Sequence, residues 1–281
     1  MTTPRDTATI NLNGPHCATG PGSATRLIVL GSGSRGNASL LSVDGVTVLI
    51  DAGLSPRKVH RACRALDVQM PSHILLTHPD TDHLYRTWST FSNRGEVTLH
   101  LHEQHIGGAL RLGFARTCMQ PFTRTANVGP IQAHAVLASH DVSGTCVFRL
   151  QVGDSTIGWA TDVGRFTDAM HVHLSGVDVL AIESNYDREM QEQSDRPHFL
   201  KERIMGGAGH LSNRQTLDAV LALHDECPLR SIVLLHLSQQ CNCPVRLQQV
   251  WQDSARHLVE RLVLTSQHEP VSVDAFSPVS S

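Results

Sequence analysis

No stretch of this chain approaches 18 consecutive apolar residues, so the sequence offers no membrane-spanning helix. The first 24 residues are polar and rich in Thr, Pro and Gly, and they lack the basic start and apolar run of a secretory signal. A cytoplasmic location is the resulting expectation. Cysteine is too scattered for a disulfide framework: Cys17, Cys63, Cys118, Cys146, Cys227, Cys241 and Cys243 are odd in number and irregularly spaced, which suits a reducing compartment. The Cys241-x-Cys243 pair has no second pair near it and reads as loop cysteines. Charge of one sign is also missing. A net charge of −3 does not announce nucleic-acid binding. Low-complexity tracts, internal repeats and interior linkers are absent, so one domain is expected over residues 25–268, with loose tails at 1–24 and 269–281.

Histidine is what the chain has in quantity, with 18 residues. It is the commonest metal ligand and the usual near-neutral acid or base, so its spacing decides what the abundance means. The apolar run Arg26 to Gly31 reads as a buried strand ended by the turn-rich SGSRGN. Two further strands, Ser39 to Val43 and Val46 to Ile50, flank Asp44-Gly45, a strong hairpin pattern. A helix follows, with Ser55 as N-cap and Pro56 at its first position. His73 to Leu76 is a short strand. Later strands are expected at Val97 to Leu101, Ile131 to Ala138, Cys146 to Val152, Ser155 to Ala160, Val177 to Ile182 and Ser231 to Leu235. Helices are expected at Glu103 to Leu112, Pro197 to Ile204, Asn213 to His224 and Pro244 to His257. This order suggests two packed sheets with helices outside, an α/β arrangement.

Directly after the short strand stands Thr77-His78-Pro79-Asp80-Thr81-Asp82-His83, four metal-binding groups within six residues. A loop leaving a strand can turn these side chains toward one point, with His78 and Asp80 on one ion and Asp82 and His83 on its neighbour. Mixed nitrogen and oxygen ligands suit zinc, manganese or iron better than calcium. Single candidates then recur at strand ends: His140-Asp141, Asp162 and His236. Together they describe one rim of a sheet where a site can assemble. His100, His102 and His105, and likewise His171 and His173, repeat a histidine spacing but read as surface or packing residues. Arg57, Lys58, Arg61 and Arg64 give the first helix a basic side that reads as solvated. Arg196, Lys201, Arg203 and Arg214 are better placed to meet phosphates.

The stretches LGSGSRGNASLL, VLIDAGLS, SHD, TDVG, IESNYD, GHLSN and HLSQQCN, with the histidine loop, resemble the metallo-β-lactamase superfamily, and within it the YycJ/WalJ type of DNA exonuclease. The resemblance covers residue 26 to about residue 245. It implies a four-layer αββα sandwich and two divalent ions, zinc or manganese with iron as the alternative, activating a hydroxide nucleophile toward DNA. It implies His78 and His140 on one ion, Asp82, His83 and His236 on the other, and Asp162 bridging. Asp51 resembles the carboxylate that steadies the metal loop. Glu183 and His210 resemble the carboxylate–histidine pair of ribonuclease Z, with the histidine protonating the leaving group. Asp82, Glu183 and His210 are thus the expected catalytic residues. Ser34, Asn37, Asn185, Ser212 and Asn213 are the expected substrate contacts. The family's second motif histidine is Asp80 here, which favours harder ions and leaves a weakened first site as one alternative. The spacings around Asp162 are too short for the inserted domain of β-CASP nucleases or the tRNA-binding arm of ribonuclease Z. A small-molecule hydrolase (thioesterase, lactonase or cyclic phosphodiesterase) and a non-catalytic binding protein remain the other readings.

Overall fold

The apolar runs assemble into two seven-stranded sheets in the computed structural model of the protein, which describes residues 25–140 and 142–273. The expected N-terminal tail, Asp141 and residues 274–281 lie outside the described residues. The first sheet holds β1 (Arg26–Gly31), β2 (Ala38–Val43), β3 (Val46–Ala52), β4 (His73–Leu75), β5 (Thr98–His102) and β6 (Met119–Phe122). The second holds β7 (Thr125–Val128), β8 (Ile131–Ala138), β9 (Thr145–Val152), β10 (Ser155–Ala160), β11 (Val179–Glu183), β12 (Ser231–Leu235) and β13 (Leu262–Leu264). A last strand, β14 (Val271–Val273), pairs with β1. The orders are β14-β1-β2-β3-β4-β5-β6 and β13-β12-β11-β10-β9-β8-β7. Each sheet is antiparallel at one end and parallel at the other: β3 to β6 and β10 to β13 run parallel.

Helices α1 (Pro56–Leu66), α2 (Trp88–Ser92) and α3 (Ile106–Arg111) follow strands of the first sheet. Helices α4 (Asp168–Leu174), α5 (Arg188–Gln193), α6 (His198–Met205), α7 (Asn213–Glu226) and α8 (Pro244–Ser254) belong to the second half. Three apolar clusters correspond to the three interfaces of four layers. Val48, Ile50, Phe148, Val233 and Leu235 meet between the sheets. Leu49, Ile74 and Leu99 turn instead toward Val59, Cys63 and Trp88 on one outer face. Ile232 and Leu234 turn toward Leu217, Val220 and Trp251 on the other. Consecutive residues of β3 and β12 therefore serve opposite faces, the period-2 alternation of a strand, and both faces are covered, so these strands read as continuous apolar runs. This is the αββα sandwich expected. Phe148, wholly buried between the sheets, is the member whose loss should be felt most. Phe148→Ala is expected to destabilise the fold by about 3–5 kcal/mol, read as a lower denaturant midpoint in equilibrium unfolding.

Local chemistry explains the turns. Asp44 (φ 49°) and Gly45 (φ 78°) both take positive φ between β2 and β3, as a two-residue hairpin of type I′ requires. Ser55 accepts from the Lys58 amide to cap α1. Other boundaries differ from expectation. The helix expected over 103–112 is a 3₁₀ turn, Glu103–His105, leading into α3. The helix expected to reach His257 stops at Ser254, and His257 lies in a separate 3₁₀ turn. Strand β14 falls inside the stretch expected to be a loose tail from residue 269. Among the described residues no helix is long and apolar enough to cross a membrane.

Candidate metal centre

The parallel strands of both sheets end on one rim, the usual place for a site in α/β architectures. Asp51 lies at the end of β3, Thr77 and His78 just past β4, Asp162 just past β10, Glu183 at the end of β11, and His236 just past β12. Asp51, Asp162 and His236 have φ of 56°, 55° and 53°, a left-handed bend that turns each side chain out of its strand's course.

Asp51 is the hub under the histidine loop. Its Oδ1 accepts the Thr77 amide at 2.9 Å and the Thr77 hydroxyl at 2.8 Å. Its Oδ2 meets His83 Nδ1 at 2.8 Å. That contact fixes the His83 ring so that Nε2 faces Asp162 Oδ2 at 2.7 Å. The other Asp162 oxygen lies 2.8 Å from His236 Nδ1 and 3.3 Å from His210 Nδ1. On the far side, His78 Nε2 is 3.8 Å from Asp80 Oδ2, and the His78 and His140 rings are 5.0 Å apart.

Three donor sets result: His78, Asp80 and His140; His78, His83 and Asp162; and Asp162, Glu183, His210 and His236. In each, the ligand atoms lie within 4.8 Å of one another. The sets share His78 and Asp162, so they describe neighbouring positions joined through common ligands. Asp80 is brought into the cluster. Asp82 joins none of the three sets among the described residues, but its carboxylate lies 3.9 Å from His83 Nε2 and is less exposed than that of Asp80.

Burial and charge compete here. Burial, with the neighbouring His83, holds the His78 imidazole well below its usual pKa. Burial also disfavours charge on His83 and His236, but carboxylates prevail. Asp162 and then Asp51 raise His83 well above the ordinary value, and Asp162 with Glu183 pushes His236 up to about 10. Against the same desolvation, His236 and His83 hold the Asp162 carboxyl well below the carboxylate range. The His236 ring supplies a test of fit. It is almost fully buried, and despite its short approach to Asp162 neither ring nitrogen has an aligned hydrogen-bond partner. A buried polar group left this way costs about 1–3 kcal/mol. A cation on that nitrogen removes the cost, and the imidazole and carboxylate donors around it fit a divalent ion.

Glu183, wholly buried, joins the ligand segments. Its Oε1 accepts the amides of Val163 at 2.8 Å and Leu211 at 3.1 Å, and its Oε2 meets His210 Nδ1 at 3.0 Å. With Nδ1 facing carboxylates, His210 presents Nε2 as the nitrogen left for a bound molecule, and the ring is part-exposed. The expected substrate contacts fare unevenly. Ser34 is exposed. Asn37, Asn185 and Asn213 are buried and already hydrogen-bonded within the protein. Asn37 braces Gly33 and His83, Asn185 donates to the His236 carbonyl, and Asn213 pairs with Ser184 and Asn242. Ser212 is the N-cap of α7 and forms a capping box with Gln215.

Sequence reasoning missed three supports: Thr77 on Asp51, Ser32, whose hydroxyl accepts the His236 amide at 2.7 Å, and Gln267. A β-carbon on Gly53 would overlap the Asp82 carbonyl, so the metal loop can pass only over a glycine. Several other described histidines are engaged away from the rim. His73 meets His100 at 3.2 Å, His105 meets the Ser143 and Gly144 carbonyls, and His171 pairs with Glu226.

A two-sheet sandwich with a histidine and carboxylate rim of this kind defines a metallohydrolase. The family model described as beta-lactamase superfamily domain matches residues 46–237, and the chain belongs to that family, a hydrolase of the metallo-β-lactamase fold. Membership implies divalent-metal binding, and the donors for it are present. Exodeoxyribonuclease YycJ of Bacillus anthracis is 28% identical over 222 residues, spanning 76% of this chain and 83% of that protein. The metallo-β-lactamase fold protein YhfI of Bacillus subtilis matches with a TM-score of 0.64 at 16% identity, over 89% of this chain and all of its own. The short form of human tRNase Z matches with a TM-score of 0.58 at 14% identity, over 88% of this chain and 99% of its own.

Proposed function

We propose that this protein is a metal-dependent phosphodiesterase that degrades DNA as an exonuclease. The observation that carries the reading is the Glu183–His210 pair set against Asp162. A hydrolase of activated esters or lactones has little need of a second acid, whereas a phosphodiester expels an alkoxide that must be protonated. The 28% identity to a protein named as an exodeoxyribonuclease supports DNA as the substrate.

Two divalent ions, zinc or manganese, suit these donors: His78, Asp80 and His140 form a set for one, and His83 and His236, which approach different oxygens of Asp162, frame the place for the other. When bound, such ions lower the pKa of a water and stabilise charge on phosphoryl oxygens. The protein's own groups do the rest. Asp51 fixes the His83 ring, Glu183 fixes His210, and His210 Nε2 holds a proton at the leaving oxygen. The six described cysteines are free thiols, which supports a cytoplasmic setting.

Elemental analysis of the purified protein is expected to give two ions per chain, falling to one in Asp80→Ala. One ion or none in the wild type after metal supplementation would make the two-ion reading untenable. Cleavage of bis(4-nitrophenyl) phosphate without cleavage of labelled DNA would replace DNA by a small phosphodiester.

A further inference from the structure

The glycine-rich loop between β1 and β2 has the look of an anion nest, but its amides are already committed. Ser32 N–H donates to the Ser266 carbonyl at 3.0 Å, and Gly33 N–H to Asn37 Oδ1 at 2.8 Å. Arg35 N–H donates to Gln267 Oε1 at 2.8 Å, Gly36 N–H to the Gly33 carbonyl at 3.0 Å, and Asn37 N–H to the Asp82 carbonyl at 2.7 Å. Only the Ser34 amide is left. A phosphate at this loop therefore cannot be held as backbone nests hold one.

The same bonds make the loop rigid and tie it to the metal segments. Ser32 Oγ accepts the His236 amide, and Asn37 Nδ2 lies 2.9 Å from His83 Nε2. Gln267, nearly buried, clamps the tip from the C-terminal side, accepting from Arg35 and donating from Nε2 to the Gly36 carbonyl at 2.9 Å. A β-carbon on Gly33 would come within 2.7 Å of the Gln267 side-chain oxygen, so the clamp closes only over a glycine. Ser34 and Arg35 are the exposed residues at the tip. Among the described residues the Arg35 guanidinium has no hydrogen bond or ion pair. Arg188, Arg214 and Arg246 are held by Glu192, Asp218 and the Asp187–Glu189 pair.

We infer that Arg35 binds a backbone phosphate of the nucleic acid adjacent to the reacting phosphodiester, with Gln267 as its positioning residue. The inference rests on the DNA reading above. A guanidinium presents two parallel donors to a phosphate, and such charge-assisted pairs are about twice as strong as neutral hydrogen bonds. Because the loop backbone is already fixed, binding immobilises only the side chain, which keeps the entropic cost low. Arg35 thus reads a second phosphate, which a polynucleotide has and a simple diester lacks.

The test compares wild type, Arg35→Ala, Arg35→Lys, Gln267→Ala and the Arg35→Ala/Gln267→Ala double variant. Binding of a fluorescein-labelled single-stranded phosphorothioate oligonucleotide, chosen to resist cleavage, is followed by anisotropy with the metal-loaded protein, and cleavage of the unmodified oligonucleotide and of bis(4-nitrophenyl) phosphate is measured in the same buffer. Arg35→Ala should weaken oligonucleotide binding about tenfold and lower the salt slope by about one phosphate's worth. Its loss in kcat/KM should be several-fold greater on the oligonucleotide than on the small diester. Arg35→Lys should recover part of the affinity. Gln267→Ala should weaken binding in the same direction, and the double variant should be no worse than Arg35→Ala, the non-additivity expected when one residue acts through the other. Unchanged affinity and salt slope in Arg35→Ala, with a wild type that cuts DNA, overturns this inference alone. Additive losses in the double variant overturn the role of Gln267. A wild type that hydrolyses the small diester but neither binds nor cuts DNA overturns the DNA reading and this inference together.

Discussion

Asp162→Ala is expected to leave less than about a thousandth of the wild-type kcat. The carboxylate is almost wholly buried and belongs to two of the three donor sets, reaching His83 with one oxygen and His236 and His210 with the other. Divalent ions contribute several kcal/mol of transition-state stabilisation, and about 1.4 kcal/mol is a factor of ten, so losing the shared ligand costs about three orders of magnitude or more. His83→Ala should fall similarly, because Asp51 orients that ring for no evident purpose other than presenting Nε2 to the centre. Asp162→Asn keeps the shape without the charge and serves as the control for folding. Activity on bis(4-nitrophenyl) phosphate, metal content and thermal unfolding are read together. Full activity with full metal content in Asp162→Ala would end the assignment of this centre as the reactive one.

His210→Ala should lose about 10²–10⁴-fold in kcat on DNA, the range for removing a general acid, and far less on a diester with a 4-nitrophenolate leaving group. The asymmetry follows from where the proton is needed. Nitrophenolate departs as a stable anion, whereas the alkoxide of a nucleotide does not. His210 is suited to supply that proton because Glu183 engages Nδ1 and leaves Nε2 facing outward. Glu183→Gln should show the same dependence on leaving group with a smaller loss, since the amide can still accept the Val163 and Leu211 N–H groups but cannot support a charged imidazole. Equal losses on both substrates would mean that His210 acts as a ligand or a packing residue rather than as the acid.

The parts of the molecule legible in the sequence are those where one local rule dominates. Ile131–Ala138, Ser155–Ala160 and Ser231–Leu235 were each readable to the residue because turn residues bracket uninterrupted apolar or alternating runs. The Asp44-Gly45 turn and the Ser55 cap follow from chemistry that hardly depends on the rest of the fold. The edges were not legible. β6 contains Pro121 and exposes its middle, and β13 is half-buried throughout, so neither has a pattern that separates it from a loop. β14 exists only because β1 offers it an edge to pair with. Helices α2, α4 and α5 are five to seven residues long, too short for periodicity to register.

Within the site, the histidine loop could be read because its ligands are adjacent in sequence, and Asp80 does join them. Asp82, two positions from Asp80, stands beside a different histidine, 3.9 Å from His83 Nε2. The asparagines show a limit. Asn37 and Asn213 sit in motif-like stretches, but whether an amide faces the substrate or the interior is decided by residues far away, Asp82 and His83 in one case and Asn242 in the other. Gln267 had no local mark at all. Its importance comes from a contact across more than two hundred residues of chain.

The left-handed bends at Asp51, Asp162 and His236 set the interests of the fold and of the site apart. A side chain in that conformation costs about 1 kcal/mol or more, and glycine alone adopts it freely. Asp51 recovers part of that cost through its bonds to Thr77 and His83, whereas at Asp162 and His236 it is borne chiefly for the centre. Descendants of this chain can therefore lose the chemistry while keeping their architecture, and selection for stability alone would carry them that way. Among proteins of this shape, an intact sandwich says little about whether a copy still works. The side chains kept at three uncomfortable bends say much more.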